Sequence, residues 1–194
     1  MEISQELITR CKSSDHNAIK ELYQRYQRYL YSICFSYTQH EQDSLDLVQE
    51  VFLKVYYNLP SFRDGMPFHP WIRRICVNAC LNFKRGQRTN VISLHAAHHD
   101  EPAIEDTLAS ATSIDDEIEK MELKNVITDG LSSLSSGARM ILVLRYYDDL
   151  SYQEISDLLH KPLGTIKTEL YRAKALLKHR LQEKGVFHHD MQTK

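Results

Sequence analysis

The sequence contains few of the residues that interrupt helices. Its 194 residues include only 6 glycines and 5 prolines. Alternating apolar and polar residues, which predict half-buried strands, do not extend over any useful length, and no hairpin signal occurs. These absences argue against an all-β fold. The apolar residues recur instead at helical spacing along most of the chain, which predicts an all-α protein.

Cysteines and long apolar runs are also scarce. The four cysteines, Cys11, Cys34, Cys76 and Cys80, form no C-x-x-C pair, as is typical of buried free thiols in a reducing compartment. No uncharged apolar run approaches the ~18 residues that a membrane span requires. Residues 1–12 mix acids and bases with apolar residues, unlike a signal peptide. We therefore expect a cytoplasmic protein without membrane insertion.

Neither sign of charge is in large excess over the whole chain. The 24 Lys+Arg and 26 Asp+Glu give a formal net charge of −2, which taken alone argues against a nucleic-acid binder. However, residues 1–90 and 131–194 each carry three more bases than acids, whereas residues 91–130 carry eight more acids than bases. Two basic blocks around an acidic one indicate contact with a polyanion.

The helical spacing predicts two groups of helices. Helices are expected at residues 5–13, 15–37, 41–58, 67–85, 114–128, 137–147, 151–160 and 162–183. Periodicity is lost in the polar segment between residues 86 and 113. The sequence thus predicts two small helical domains, at residues 1–88 and 114–184. A flexible acidic linker at residues 89–113 joins them, and a frayed tail follows at residues 185–194.

The C-terminal block has the pattern of a helix-turn-helix. Ser151 and Glu154 have the spacing of a capping box at the start of a short helix. A tight corner over residues 160–164 (HKPLG) follows, and then a longer basic helix begins. One face of that helix is apolar and predicted to pack inward: Ile166, Leu170, Ala173, Leu177 and Leu181.

The opposite face of this basic helix suits a DNA major groove. Thr165, Thr168 and Arg172 are candidates for contacts to base edges. Lys161, Lys167 and Lys174 are candidates for contacts to phosphates. The alternative is a solvated amphipathic helix, which would not require the capped helix and tight corner before it.

The helix at 41–58 carries an outward stripe, defined here as the docking stripe: Asp46, Gln49, Glu50 and Leu53. Two carboxylates, an amide and a leucine at this spacing suit a basic partner surface with a hydrophobic contact at its centre. Simple solvation of the stripe is the alternative. The inward face is predicted to consist of Leu45, Val48, Val51, Phe52 and Val55.

The helix at 67–85 combines bases with exposed stacking groups. Its outward side is predicted to carry Arg73 and Arg74, together with a stripe of Trp71, Asn78, Asn82 and Arg85. Cationic side chains interleaved with aromatic rings are suited to single-stranded nucleic acid. A core position is the alternative for Trp71.

Four segments in this order resemble one family. Residues 46–56 (DLVQEVFLKVY) and 68–78 (FHPWIRRICVN) are similar to the D-x-x-Q-E-x-F and F-x-x-W-L-x-R-I-x-x-N segments of extracytoplasmic-function (ECF) sigma factors. Residues 150–155 (LSYQEI) and 162–174 (PLGTIKTELYRAK) are similar to the family's L-S-Y-x-E-I-A and P-x-G-T-V-K-S-R-L-x-R-A-R segments.

The resemblance implies a sigma subunit that directs promoter-specific initiation without enzyme activity of its own. The first domain would dock on the clamp helices of core RNA polymerase, then recognise and melt the proximal (minus-ten) element. The second would read the distal (minus-thirty-five) element, with the polymerase flap as a further contact. An anti-sigma factor is the other partner that the family implies, and no cofactor or metal is expected.

The resemblance also implies roles in DNA contact for particular residues. We expect the 61–65 loop, through Ser61, Phe62, Arg63 and Asp64, to capture a flipped base with help from the Asn78 and Asn82 stripe. Glu169 stands where the family usually has Arg. It would either avoid the phosphates or accept a hydrogen bond from a cytosine amino group.

Two other classes of function are alternatives to the hypothesis of a sigma subunit. A helix-turn-helix activator would bind duplex DNA without replacing a sigma subunit, but it does not explain the docking stripe. A metal-dependent hydrolase would need ordered ligands, whereas the candidate histidines fall in the predicted linker and tail: His95, His98, His99, His188 and His189.

Overall fold

The computed structural model describes residues 3–89 and 125–183, and every regular element in these two ranges is a helix. The elements are α1 (Gln5–Lys12), α2 (His16–Thr38), α3 (Glu41–Asn58), a 3-10 turn (Leu59–Ser61), α4 (Phe68–Thr89), α5 (residues 125–132), α6 (Ser136–Tyr146), α7 (Tyr152–Leu159) and α8 (Leu163–Glu183). The predicted all-α class is confirmed.

Two helices extend beyond their predicted ends. Helix α4 continues through Gly86 to Thr89 instead of ending at Arg85, because a single glycine costs a helix only about 1 kcal/mol. Helix α5 reaches residue 132 rather than 128. The predicted linker beyond Thr89, the predicted helix start at residue 114, the tail and the linker and tail histidines lie outside the described residues.

Helices α1 to α4 enclose the first core. The apolar face of α2 is buried, with Tyr26, Leu30 and Ile33 at 0% exposure. The prediction was wrong for Leu45, which is 41% exposed, while Leu47 is buried. Ser44 occupies the buried face of α3, and Leu45 lies one helical step, about 100°, away from it. The apolar stripe of α3 is therefore wider than the face that the core covers.

Helices α6 to α8 form the second core, with Ile155 and Ile166 fully buried where the short and long helices meet. The predicted capping box is present at the start of α7: Ser151 Oγ accepts from the Glu154 amide, and the Glu154 carboxylate accepts from the Ser151 amide. The inward positions of α8 are buried or half-buried as predicted.

The corner between α7 and α8 starts at His160 as predicted but is shorter than predicted. His160 makes the turn in the left-handed conformation, with φ of 52°, and Gly164 lies inside α8. A Cβ at Gly164 would meet no atom within 4 Å. The backbone therefore does not require glycine there, whereas His160 pays a conformational cost to end α7.

A buried arginine joins the two groups of helices. Arg139 of α6 is 7% exposed, and its guanidinium donates to the carbonyl oxygens of Ser36 and Tyr37 in the last turn of α2. It also donates to the Leu134 carbonyl. The final carbonyls of a helix lack partners within the helix, and the helix dipole favours a cation beside them. Arg139 therefore caps a helix that lies about a hundred residues earlier in the chain.

Within the two described ranges, no helix is both long and apolar enough to cross a membrane.

Candidate functional site

The docking stripe lies on the solvent side of α3. Asp46, Gln49 and Glu50 are exposed, and Leu53 is 57% exposed. Local partners hold its carboxylates: Gln42 Nε2 donates to Asp46 Oδ1 at 3.1 Å, and Lys54 pairs with Glu50. These exposed pairs are weak, so a basic partner can replace them at little cost.

Apolar surface extends around the docking stripe. Leu45 and Tyr56 are 41% and 45% exposed, and Tyr57, at the last turn of α3, is 75% exposed. The exposed Leu45 thus enlarges the apolar part of this surface. Carboxylates with a central apolar contact match the chemistry of a basic partner that also buries hydrophobic area.

Helix α1 anchors the 61–65 loop. Lys12 Nζ donates to Asp64 Oδ1 at 2.7 Å and to the Phe62 carbonyl at 2.6 Å. Gln5 donates to the same Asp64 oxygen and accepts from the Gly65 amide, where φ is 78°. The Lys12 hydrogen bond lowers the pKa of Asp64. Sequence reasoning missed Gln5 and Lys12, because they precede the loop by about fifty residues.

The aromatic part of the loop faces the core and not the solvent. Phe62 is 5% exposed, and its ring lies 5.0 Å from the Trp71 ring and 5.4 Å from the Phe68 ring. Trp71 is half-buried over the same cluster. This differs from the expectation that Phe62 contacts a base: its ring supports the loop, while Ser61, Arg63 and Asp64 remain exposed.

The residues predicted on the outward face of α4 do not all face the solvent. Arg74, Asn78 and Asn82 are exposed as expected. Arg73 differs, because its side chain is only 11% exposed and turns toward α6 and α7. Arg85 lies on α4, but its side chain is outside the described residues.

Arg73 is one of three groups around a buried carboxylate. The Asp148 side chain, from the loop after α6, is 2% exposed. Tyr29 of α2 donates to it at 2.9 Å, and Arg73 and His69 nitrogens lie 3.6 and 3.9 Å away. Burial lowers the pKa of His69, outweighing the opposite effect of Asp148. We call these four residues the Asp148 cluster; together with Arg139, it holds the two groups of helices together.

A cleft of about 480 Å³ lies between the 61–65 loop and α7. One wall contains Arg63, Trp71 and Arg74, and the other contains Glu154 and Asp157. Basic and aromatic groups of the first domain thus face acids of the second. The cleft lies where the sequence predicted contact with the proximal element.

Helix α8, the predicted recognition helix, exposes more of its predicted DNA contacts than α4 does. Lys167, Thr168, Arg172 and Lys174 are exposed, and Thr165 is half-buried at the first turn. Thr168 Oγ1 donates to the Gly164 carbonyl at 2.8 Å, which leaves its oxygen lone pairs available as acceptors. The Lys174 ammonium lies 5.9 Å from the Tyr146 ring centre, a cation–π distance.

Glu169 has a partner within the domain. Lys161 Nζ donates to its two carboxylate oxygens at 2.9 and 2.7 Å. Both side chains are about one-third exposed. The two predicted distal-element contacts therefore neutralise each other in this conformation. The pair lies beside the turn, at the end of α8 that would enter the groove.

Comparisons with known proteins give matches to both groups of helices. The Sigma-70 region 2 family matches residues 22–89, and the Sigma-70 region 4 family matches residues 124–177. The ECF RNA polymerase sigma-E factor of Escherichia coli K12 is 30% identical over 180 residues, which cover 92% of this chain and 94% of the relative. The SigW ECF sigma factor of Bacillus subtilis is 26% identical, over 91% of this chain and 95% of the relative.

Solved structures show a similar fold. The sigma factor RpoE in complex with the anti-sigma factor NepR from Bartonella quintana has a TM-score of 0.60 at 20% identity, covering 84% of this chain and 96% of that one. CnrH in complex with the cytosolic domain of CnrY has a TM-score of 0.56, also at 20% identity, covering 92% of this chain and 97% of that one.

Proposed function

We propose roles for individual residues of this chain, which belongs to the ECF sigma factors. As a member of that family, it binds core RNA polymerase and directs transcription initiation at specific promoters. Polymerase and promoter DNA are its partners. Bond-forming chemistry then belongs to the polymerase, and this chain acts by binding. The alternative of an activator that leaves the sigma subunit in place is not favoured, because both halves of the chain match sigma regions.

The docking stripe binds the clamp helices of the polymerase in this proposal. The exposure of Asp46, Gln49, Glu50 and Leu53 on one face of α3 is the observation that supports it. Their carboxylates would pair with bases of the clamp, and Leu53 would be buried at the centre of the contact.

The proximal element is read by the 61–65 loop and the outward face of α4. Asn78 and Asn82 provide hydrogen-bond donors and acceptors for base edges, and Arg63 and Arg74 provide charge for phosphates. Phe62 takes a supporting role here, because its buried ring fixes the loop against Trp71. Arg73 contacts DNA only after it leaves Asp148.

The distal element is read by α8 in the major groove. Thr165, Thr168 and Arg172 contact base edges, and Lys167 and Lys174 contact phosphates. Lys161 and Glu169 form their ion pair beside the turn, so Glu169 does not face a phosphate as an unpaired carboxylate.

The packing of the two domains covers part of the promoter-reading surface. Because α7 lies across the cleft from the 61–65 loop, a DNA strand can fill this cleft only when the domains separate. We infer that binding to the polymerase opens the chain. An anti-sigma factor, such as the one bound to the RpoE relative, would have the opposite effect if it bound both domains.

Run-off transcription tests the function directly. Wild-type protein added to cognate core polymerase should produce promoter-specific transcripts, whereas the protein alone should bind duplex promoter DNA poorly. Tight duplex binding without core, together with no transcript and no complex with core, would support the activator instead.

Charge reversal tests the docking stripe. Asp46→Lys with Glu50→Lys should weaken core binding at least about 100-fold, because two attractions become repulsions. The helical circular dichroism signal should stay unchanged, since both side chains are exposed. Glu6→Lys with Glu21→Lys makes the same charge change on α1 and α2 and should bind core normally. Equal losses in both double variants would show a general charge effect and contradict the assignment.

A further inference from the structure

Three of the four cysteines meet inside the first core, away from every surface assigned above. Cys34 comes from α2, and Cys76 and Cys80 come from α4. The Cys34 sulfur lies 3.8 Å from the Cys76 sulfur and 4.0 Å from the Cys80 sulfur, and all three sulfurs lie within 4.8 Å of one another. Each residue is 0% exposed.

The spacing of the cysteines in the sequence does not predict this cluster. Cys76 and Cys80 are four residues apart and share one face of α4, but the third sulfur comes from a helix more than forty residues earlier. Cys11 lies apart from the other three, and burial raises its pKa to about 11. The chain therefore contains one inert thiol and one cluster of three.

The triangle has the size of a metal site. A metal held by three sulfurs at about 2.3 Å places those sulfurs about 4.0 Å apart, close to the two measured distances. Ordinary packing of three buried thiols brings them into contact, but it does not require that all three point toward one centre.

The number of ligands indicates which metal. Among the described residues, no histidine, carboxylate or fourth thiol joins the three sulfurs. A structural zinc ion takes four ligands, and a zinc ion with three protein ligands keeps a water, which a fully buried apolar site does not admit. Thiolate-only coordination selects soft cations such as Cu(I).

We propose that Cys34, Cys76 and Cys80 bind one Cu(I) ion in trigonal sulfur coordination. The coordinated thiols release protons when the metal binds, so the affinity falls as the pH decreases. The bound ion joins α2 to α4, the helix that carries the Asn78 and Asn82 face. It thereby stabilises the domain that reads the proximal element, without taking part in DNA contact.

Titration of the whole wild-type protein tests this proposal. The probe is Cu(I), supplied without oxygen in competition with a chromophoric Cu(I) chelator. We expect one tightly bound copper per chain and an X-ray absorption spectrum that fits three sulfurs at about 2.3 Å. No binding in competition, nitrogen or oxygen ligands, or tighter retention of Zn(II) than Cu(I) would each overturn it.

Variants locate the site. Cys34→Ala, Cys76→Ala and Cys80→Ala should each weaken Cu(I) binding at least about 100-fold, because losing even an outer-shell partner of a metal site costs 10–100-fold. Cys11→Ala is the matched control and should bind as wild type. Equal losses in Cys11→Ala and the three cluster variants would contradict the assignment. The wild-type spectrum decides the ligand set even if one cluster variant fails to fold.

Discussion

The two domains present the residues that we propose to contact DNA differently. In the second domain, Thr168, Arg172 and Lys174 extend from α8 into solvent. In the first, Arg73 is held by Asp148, and the 61–65 loop faces α7 across the cleft. The surface proposed for the distal element is therefore available for DNA in this conformation, whereas the surface proposed for the proximal element becomes available only when the domains move apart.

The difference follows from where each surface lies relative to the contact between domains. Helix α8 packs on α6 and α7 through its inner face, which leaves the outer face uncovered. Helix α4 uses its beginning, from His69 to Arg73, to contact the second domain. The contact between the domains therefore covers the beginning of α4 and leaves the outer face of α8 exposed.

Removing Arg139 should have the largest effect on this asymmetry. Arg139→Ala leaves the buried carbonyls of Ser36 and Tyr37 without their donor, and we expect the free energy of unfolding to fall by about 3 kcal/mol. Urea denaturation measures the loss, and small-angle scattering should show a larger radius of gyration. Arg28→Ala, an exposed arginine on α2, should change stability by less than about 0.5 kcal/mol. An unchanged radius in Arg139→Ala would show that other contacts hold the domains together.

Base reading by α8 should give the next effect. Arg172→Ala should reduce discrimination in the distal element by about 1–3 kcal/mol, because a base contact is lost. Lys167→Ala is the matched variant and should weaken binding to all sequences about equally, because it loses a phosphate contact. Competition transcription with single-base promoter variants measures both. Unchanged discrimination in Arg172→Ala would remove this residue from the readout.

The capping box of α7 gives a smaller, local effect. Ser151→Ala should lower the free energy of unfolding by about 1 kcal/mol, since the Glu154 amide loses its acceptor. Hydrogen bonds from Ser151 also hold the pKa of Glu154 below its ordinary value. This contribution is present above pH 4.5 and is lost as the pH falls through the lowered pKa, so Ser151→Ala should lose less stability on acidification. Ser32→Ala, on the outside of α2, should change neither quantity.

The smallest effect concerns the protonation of His69. Its pKa should lie below 6.5 in the native protein, chiefly because the ring is buried at the contact between domains. The native form then binds fewer protons than an opened one, so acidification below pH 6.5 weakens the packing. Titration followed by proton NMR measures this. In Arg139→Ala the pKa should rise toward 6.5, and an unchanged value would mean that the His69 environment does not depend on domain packing.

Local features could be predicted from the sequence. The inward face of α8 and the Ser151–Glu154 box depend on residues within a few positions of one another, and the structure contains both. The exposure of the docking stripe was predictable for the same reason. Errors arose where the buried face was narrower than the apolar pattern, as at Leu45, or where a glycine was assigned to the corner although the helix already contains it, as at Gly164.

Contacts between distant segments could not be predicted. Nothing near Arg139 in sequence indicates that its partners are carbonyls of α2, because backbone groups carry no residue signature. The sequence around Asp148 indicates only a loop acid, because Tyr29, His69 and Arg73 come close to it only in the folded chain. The same holds for Phe62, whose burial depends on packing against α4.

The Arg139 cap also has a consequence for how the chain is made. The carbonyls of Ser36 and Tyr37 leave the ribosome about a hundred residues before the guanidinium that will bind them. At 5–20 residues per second this interval lasts roughly 5–20 s. During that time α2 of the nascent first domain has only the local cap from the Gln39 amide and lacks its Arg139 donor, and the 61–65 loop does not yet face the second domain. A sigma subunit still being synthesised is therefore open before it closes.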